Sequence, residues 1–176
     1  MRLLLTTLLS LGLATALSTT APATPAAAQV ARIERAQVYR SILPSEMATL
    51  LNGSGYARVE KAGANVFNIE TREGFLFSVE MAACDVENDT AGCFGIIFYS
   101  TWELEPSDRS KVSTMVTKFN DDYRIGKAFL LENSIYAERY VTTDGGVTQD
   151  HIREEAETFL AMMDHFGERL REAVGN

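Results

Sequence analysis

The sequence predicts an α+β domain: an antiparallel sheet flanked by helices, in the order helix–strands–helix–strands–helix. Three observations predict it. Short segments of period-two alternation cluster between residues 56 and 99, the mark of half-buried strands in meander order. A stripe at Val112, Met115, Val116, Phe119 and Tyr123 has helical spacing. A longer stripe at Ile152, Ala156, Phe159, Leu160, Met163, Phe166 (or Gly167) and Leu170 ends the chain with a second helix of that kind. Strands gathered between helices, rather than alternating with them, give α+β with an antiparallel sheet.

Residues 1–28 read as a signal peptide. Met1-Arg2 is a short positive start, residues 3–17 are almost wholly apolar, and Ala26-Ala27-Ala28 before Gln29 fits the small-x-small cleavage rule. The apolar core is shorter than the roughly 20 residues a membrane span needs. Cleavage after Ala28 is therefore expected, giving a periplasmic or secreted protein of bacterial type with no integral membrane association. Residues 29–44 read as an N-terminal linker that docks on the domain, 45–172 as the domain, and 173–176 as a C-terminal tail.

Within the domain, Pro44-Ser45-Glu46 opens a short helix carrying Met47, Leu50 and Leu51, and Gly53-Ser54-Gly55 stops it. Strands are expected at 56–61, at 67–71, and at 75–81, where Phe75, Phe77, Val79 and Met81 share a face. The strand after Cys93 has Phe94, Ile96 and Phe98 on one face and Ile97 and Tyr99 on the other. Apolar residues in both phases predict a central strand covered on both sides. Glu105-Pro106-Ser107-Asp108 signals the second helix. Strands at 127–131 and 135–142 follow around an Asn133-Ser134 turn. Thr148 is placed to cap the last helix.

Cys84 and Cys93 are the two cysteines of the chain. In an oxidising compartment they read as a disulfide at the base of a polar loop between two strands. Their spacing is not Cys-x-x-Cys, and no His lies near enough to complete a zinc set. Asp85, Glu87 and Asp89 alternate as in a calcium loop. Thr90 and Ile96, however, stand where that loop needs Gly and Glu, so a solvated acidic turn is the reading.

The chain carries 16 basic and 24 acidic residues, a net charge of −8, or −9 once Arg2 leaves with the leader. That surplus argues against nucleic acid, whose binding draws on neutralised phosphates. An acidic surface does suit a basic partner. No Gly-x-Ser-x-Gly elbow, Walker loop or dinucleotide fingerprint is present. His151 and His165 lie fourteen positions apart on one helix, about 21 Å, too far to share a metal. Asp121-Asp122 and Glu154-Glu155 are adjacent pairs that diverge on a helix instead of converging. No catalytic residue, cofactor or metal is assigned. Asn120 and Arg124, at i and i+4, are the candidate partner-binding pair, set against a structural role at the helix end.

Four further features carry a resemblance across residues 45–170. They are Gly55-Tyr56 closing the first helix, the Cys84-Asp85 to Cys93 loop, the run Phe119-Asn120-Asp121-Asp122-Tyr123-Arg124-Ile125-Gly126-Lys127-Ala128, and Gly145-Gly146-Val147 before the last helix. With these the chain resembles the YbjN family of bacterial sensory transduction regulator-like domains. Phe119 stands where the family has Trp, Lys127 where it has Arg, and Tyr123-Arg124-Ile125 matches in part. The resemblance implies a fold similar to type III secretion chaperones, one that dimerises and binds other chains, and it brings no catalytic residues. The expected function is thus an exported non-catalytic binding module recognising another protein or a second copy of itself. The alternatives are a small-ligand carrier, or an envelope enzyme assembling Asp85, Asn120, Arg124 and His151 from separated segments.

Overall fold

A computed structural model describes residues 37–85 and 92–175. The leader, the first part of the linker, and Glu87, Asp89 and Thr90 of the acidic turn lie outside the described residues. The order of elements is β1 (Val38–Tyr39), α1 (Pro44–Gly53), β2 (Arg58–Lys61), β3 (Val66–Glu70), β4 (Leu76–Cys84) and β5 (Cys93–Glu103). A 3₁₀ turn (Pro106–Asp108) then leads into α2 (Arg109–Asp122), β6 (Lys127–Leu131), β7 (Ser134–Thr142), β8 (Val147–Thr148) and α3 (Gln149–Val174). Strands β2 to β7 form one six-stranded antiparallel sheet in the order β2-β3-β4-β5-β7-β6. This is the α+β architecture expected from the sequence.

Local chemistry sets each element. Glu46 accepts a hydrogen bond from the Leu43 N–H at 2.9 Å, satisfying an orphan donor where α1 begins. The Thr148 hydroxyl accepts from the His151 N–H at 3.2 Å and starts α3 as expected. The stop of α3 is Gly175 in the left-handed conformation. The hairpin between β6 and β7 turns at Glu132-Asn133, one residue earlier than the sequence suggested, with Glu132 at φ 51°.

Packing is one-sided. On β4, Phe77, Val79 and Met81 are buried; on β5, Ile96 and Phe98; on β7, Ile135, Ala137 and Val141. Alternation puts all of these on one face of the sheet, and the helices cover that face. From α3, Phe159 meets Phe77 at 5.7 Å and Phe98 at 6.1 Å between ring centroids. Phe166 meets Trp102 at 5.1 Å and Phe119 of α2 at 5.0 Å. Met162 is fully buried beside them, a core position that the sequence stripe did not include. The stripe of α2 ends at Phe119, because the helix stops at Asp122 and Tyr123 already has extended backbone.

Two expectations change. The segment read as a linker contributes β1, which pairs with β8, and Ile42, which is fully buried and bridges Cys93 through two main-chain bonds of 2.9 Å. Strand β5 is central, but among the described residues helices cover one side of it only. Ile97 and Tyr99 look out of the face opposite the helices, so two apolar phases did not mean two covering layers.

Candidate functional site

The residues singled out in the sequence sit in separate surroundings. Cys84 and Cys93 are joined by a disulfide across β4 and β5, as directly opposed residues of the ladder. The Asn65 amide donates toward the Cys84 sulfur at 3.3 Å. Asn120 does not share a helix face with Arg124, because α2 ends between them. Its side chain instead serves the main chain of β6: Nδ2 donates to the Ala128 carbonyl at 2.8 Å, and Oδ1 accepts from the Ala128 N–H at 2.7 Å. A primary amide with one donor and one acceptor so aligned mimics the peptide group of a neighbouring strand. Arg124 is solvent-exposed just beyond the helix. Among the described residues no ion pair joins it to Asp121, three positions before it. Asp122, next along, pairs with Arg169 at 2.7 Å.

His151 is half exposed and lies 3.6 Å from Glu155. That carboxylate also takes a 2.6 Å bond from Arg139 Nε, and Arg139 donates as well to the Ile125 carbonyl. Arg139 and Glu155 are each mostly buried, so this pair fastens α3 to β7 and to the turn before β6. His165 lies beside the Tyr123 ring, 5.6 Å between centroids, on the outer side of α3. Among the described residues no group of three His, Cys, Asp or Glu side chains is placed to hold a metal. No helix among them is long and apolar enough to cross a membrane. Tyr56, the aromatic that follows α1, has its hydroxyl pKa pushed up by burial and, second, by the negative charge of Glu157. It packs edge-on to Phe77.

A further surface among the described residues is the face of the sheet turned away from the described helices. Its residues follow from register. One row runs Asn68, Ser78, Tyr99, Glu138, Lys127; the next includes Thr101, Tyr136 and Phe129; a third joins Val66, Glu80, Ile97 and Tyr140. Phe129 and Tyr136 stack with planes 6° apart and centroids at 5.2 Å. Lys127 lies over the Phe129 ring and pairs with Glu138 at 3.1 Å. Tyr140 lies across Gly95, where any Cβ would strike its ring. Ile97, Tyr99, Phe129, Leu131 and Tyr136 line a shallow depression together with Glu80, opposite Ile97, and with Glu138, which stands among them between Tyr99 and Lys127. At its edges Leu131 is 54% exposed, Tyr140 52% and Leu76 60%. Scattered apolar side chains are normal on a surface, whereas apolar and aromatic side chains gathered on one face make a candidate interaction site. The sequence held a signal for it in the second apolar phase of β5 and in Phe129, Leu131, Tyr136 and Tyr140 at period two. In β5 that phase predicts burial, and for β6 and β7 the sequence predicts strands without choosing their faces.

Comparison with known proteins gives three findings. The model of a family described as "YbjN: Putative bacterial sensory transduction regulator" matches residues 44–172. No curated protein matches the sequence. Among solved structures, the chain is similar to the crystal structure described as "YbjN, a putative transcription regulator from E. coli", with a TM-score of 0.50. That likeness covers 71% of this chain and 92% of that chain at 13% identity, so it bears on the fold alone.

Proposed function

The chain belongs to the YbjN family, and from that premise we propose that it is an exported, non-catalytic binding module that recognises another polypeptide through the open face of its sheet. One observation carries the reading: the three described α-helices pack on one side of the sheet, and the other side presents Ile97, Tyr99, Phe129, Leu131, Tyr136 and Tyr140 together. Aromatic side chains bring large contact area at small entropic cost, which suits them to the centre of an interface. A flat aromatic patch favours a macromolecular surface, whereas a small-ligand carrier would use a closed apolar cavity. The polar candidates support the same reading, since Asn120 is engaged with Ala128 and His151 with the Glu155–Arg139 pair. The regulator description of the family is consistent with recognition rather than turnover.

Export is part of the proposal and rests on the leader and on the disulfide, which suits an oxidising compartment. N-terminal sequencing of the protein recovered from its envelope should begin at Gln29; retention of Met1 would refute export. Crosslinking capture from the same envelope tests recognition. A partner retained by the wild type and by Arg124→Ala, but lost from a folded Ile97→Asp variant, supports the sheet face as the site. Capture unaffected by Ile97→Asp and lost with Arg124→Ala would move the site to the end of α2.

A further inference from the structure

The charges of the open sheet face say what kind of polypeptide fits it. Five carboxylates lie on that face (Glu60, Glu70, Glu80, Glu103 and Glu138) against two cations, Arg58 and Lys127, a surplus of three negative charges. Both cations are already engaged. Arg58 pairs with Glu60 at 3.2 Å and with Glu70 at 3.0 Å, and Lys127 pairs with Glu138 at 3.1 Å. Glu80 and Glu103 have no ion-pair partner among the described residues. Glu80 stands opposite Ile97, and Glu103 lies six residues further along β5 on the same face. At about 3.4 Å per residue, Ile97 and Glu103 are about 20 Å apart along the strand. The aromatic centre, Tyr99 with Tyr136 and Phe129 beside it, lies between the two acids.

We propose that the occupant of this face is a cationic amphipathic helix of a partner polypeptide. Its apolar stripe would sit on Tyr99, Phe129 and Tyr136, and one lysine or arginine near each end would reach Glu80 and Glu103. This rests on the binding reading above. A span of about 20 Å corresponds to about 14 residues of helix, or four turns, which returns both cations to one side. A second copy of the chain fits less well, because two faces with the same acidic surplus repel. The net charge of −8 adds to that repulsion and draws a cationic partner in.

The test uses two helical peptides of about 18 residues sharing one apolar stripe, with lysines at the two flanking positions in one and glutamates in the other. Binding to the purified protein is followed by fluorescence anisotropy at low and at moderate salt. The lysine peptide should bind at least about tenfold more tightly, lose affinity with salt, and weaken about tenfold against E80Q/E103Q, since each exposed charge pair is worth a few-fold. Ile97→Asp, with its circular dichroism unchanged, should abolish binding. Equal binding of both peptides, or no effect of E80Q/E103Q, overturns the cationic assignment and leaves recognition by the face intact. A dimer in sedimentation that Ile97→Asp dissociates makes the occupant a second copy and also overturns it. If neither peptide binds, the assignment fails; the envelope capture then decides whether the binding reading fails with it.

Discussion

Replacing Asn120 with Ala removes both hydrogen bonds that α2 makes to Ala128, the 2.8 Å bond to its carbonyl and the 2.7 Å bond from its N–H. Ala128 is buried, so water does not readily replace the lost partner. A typical hydrogen bond contributes about 1 kcal/mol net, and each main-chain group left unsatisfied in a buried setting costs about 1–3 kcal/mol. Two groups partly re-solvated at an edge give an expected loss of about 2–4 kcal/mol. Asn120→Asp separates the two bonds. A carboxylate still accepts from the Ala128 N–H but cannot donate to the carbonyl, and sets an oxygen against it, so about 1–3 kcal/mol should be lost at neutral pH. Arg124→Ala, at an exposed position beyond the helix, should stay within about 0.5 kcal/mol. Urea unfolding followed by circular dichroism, with the disulfide intact throughout, measures all three. A loss below about 0.5 kcal/mol for Asn120→Ala, or equal losses at 120 and 124, would refute the strand-mimic role of the amide.

Phe159→Ala, which empties the position where α3 meets Phe77 and Phe98, should cost about 3–5 kcal/mol in the same assay. Breaking the Cys84–Cys93 bond by a Cys→Ser double substitution should cost about 2.5–3 kcal/mol, the closure entropy of a loop of about ten residues. Gly126→Ala should cost about 1–3 kcal/mol, because the new methyl meets the Glu138 carbonyl oxygen at 2.7 Å and the Met162 side chain. Tyr56 gives a pH signature. Its hydroxyl pKa is raised in the folded protein, so its contribution is complete below the ordinary tyrosine value near 10 and is lost as pH rises through the folded value. Thermal melts should therefore show an alkaline decline that is smaller in Tyr56→Phe.

Elements with one clear period were legible in the sequence. Thr148 at the start of α3, the stripe through Ile152, Ala156, Phe159 and Phe166, and the paired phases of β3 and β4 all declare a local preference that tertiary structure keeps. Three features were not legible, each for its own reason. Apolar residues in both phases of β5 say that neither face is strongly polar, and period alone cannot count covering layers. Strands β1 and β8 are two residues each and more than a hundred positions apart, too short to show a period. The sequence leaves Asn120 between a pair with Arg124 and a structural role at the helix end, because its partner, Ala128, lies eight positions on, past the end of α2. Most of the open face was present in the sequence as residues, but which side the helices would choose was not.

The amide of Asn120 has a consequence for valence. A sheet grows by adding strands at its flanks, and both flanks here are closed to growth. Strand β2 ends one side with Arg58, Glu60 and Lys61 in four residues, and the Asn120 amide sits where the next strand would pair with Ala128 on the other. Among the described residues the face is then the adhesive direction left to this sheet. A sheet with one sticky direction can complete a complex but cannot propagate one, so growth through this sheet should stop at capped pairs and not run on into a fibre.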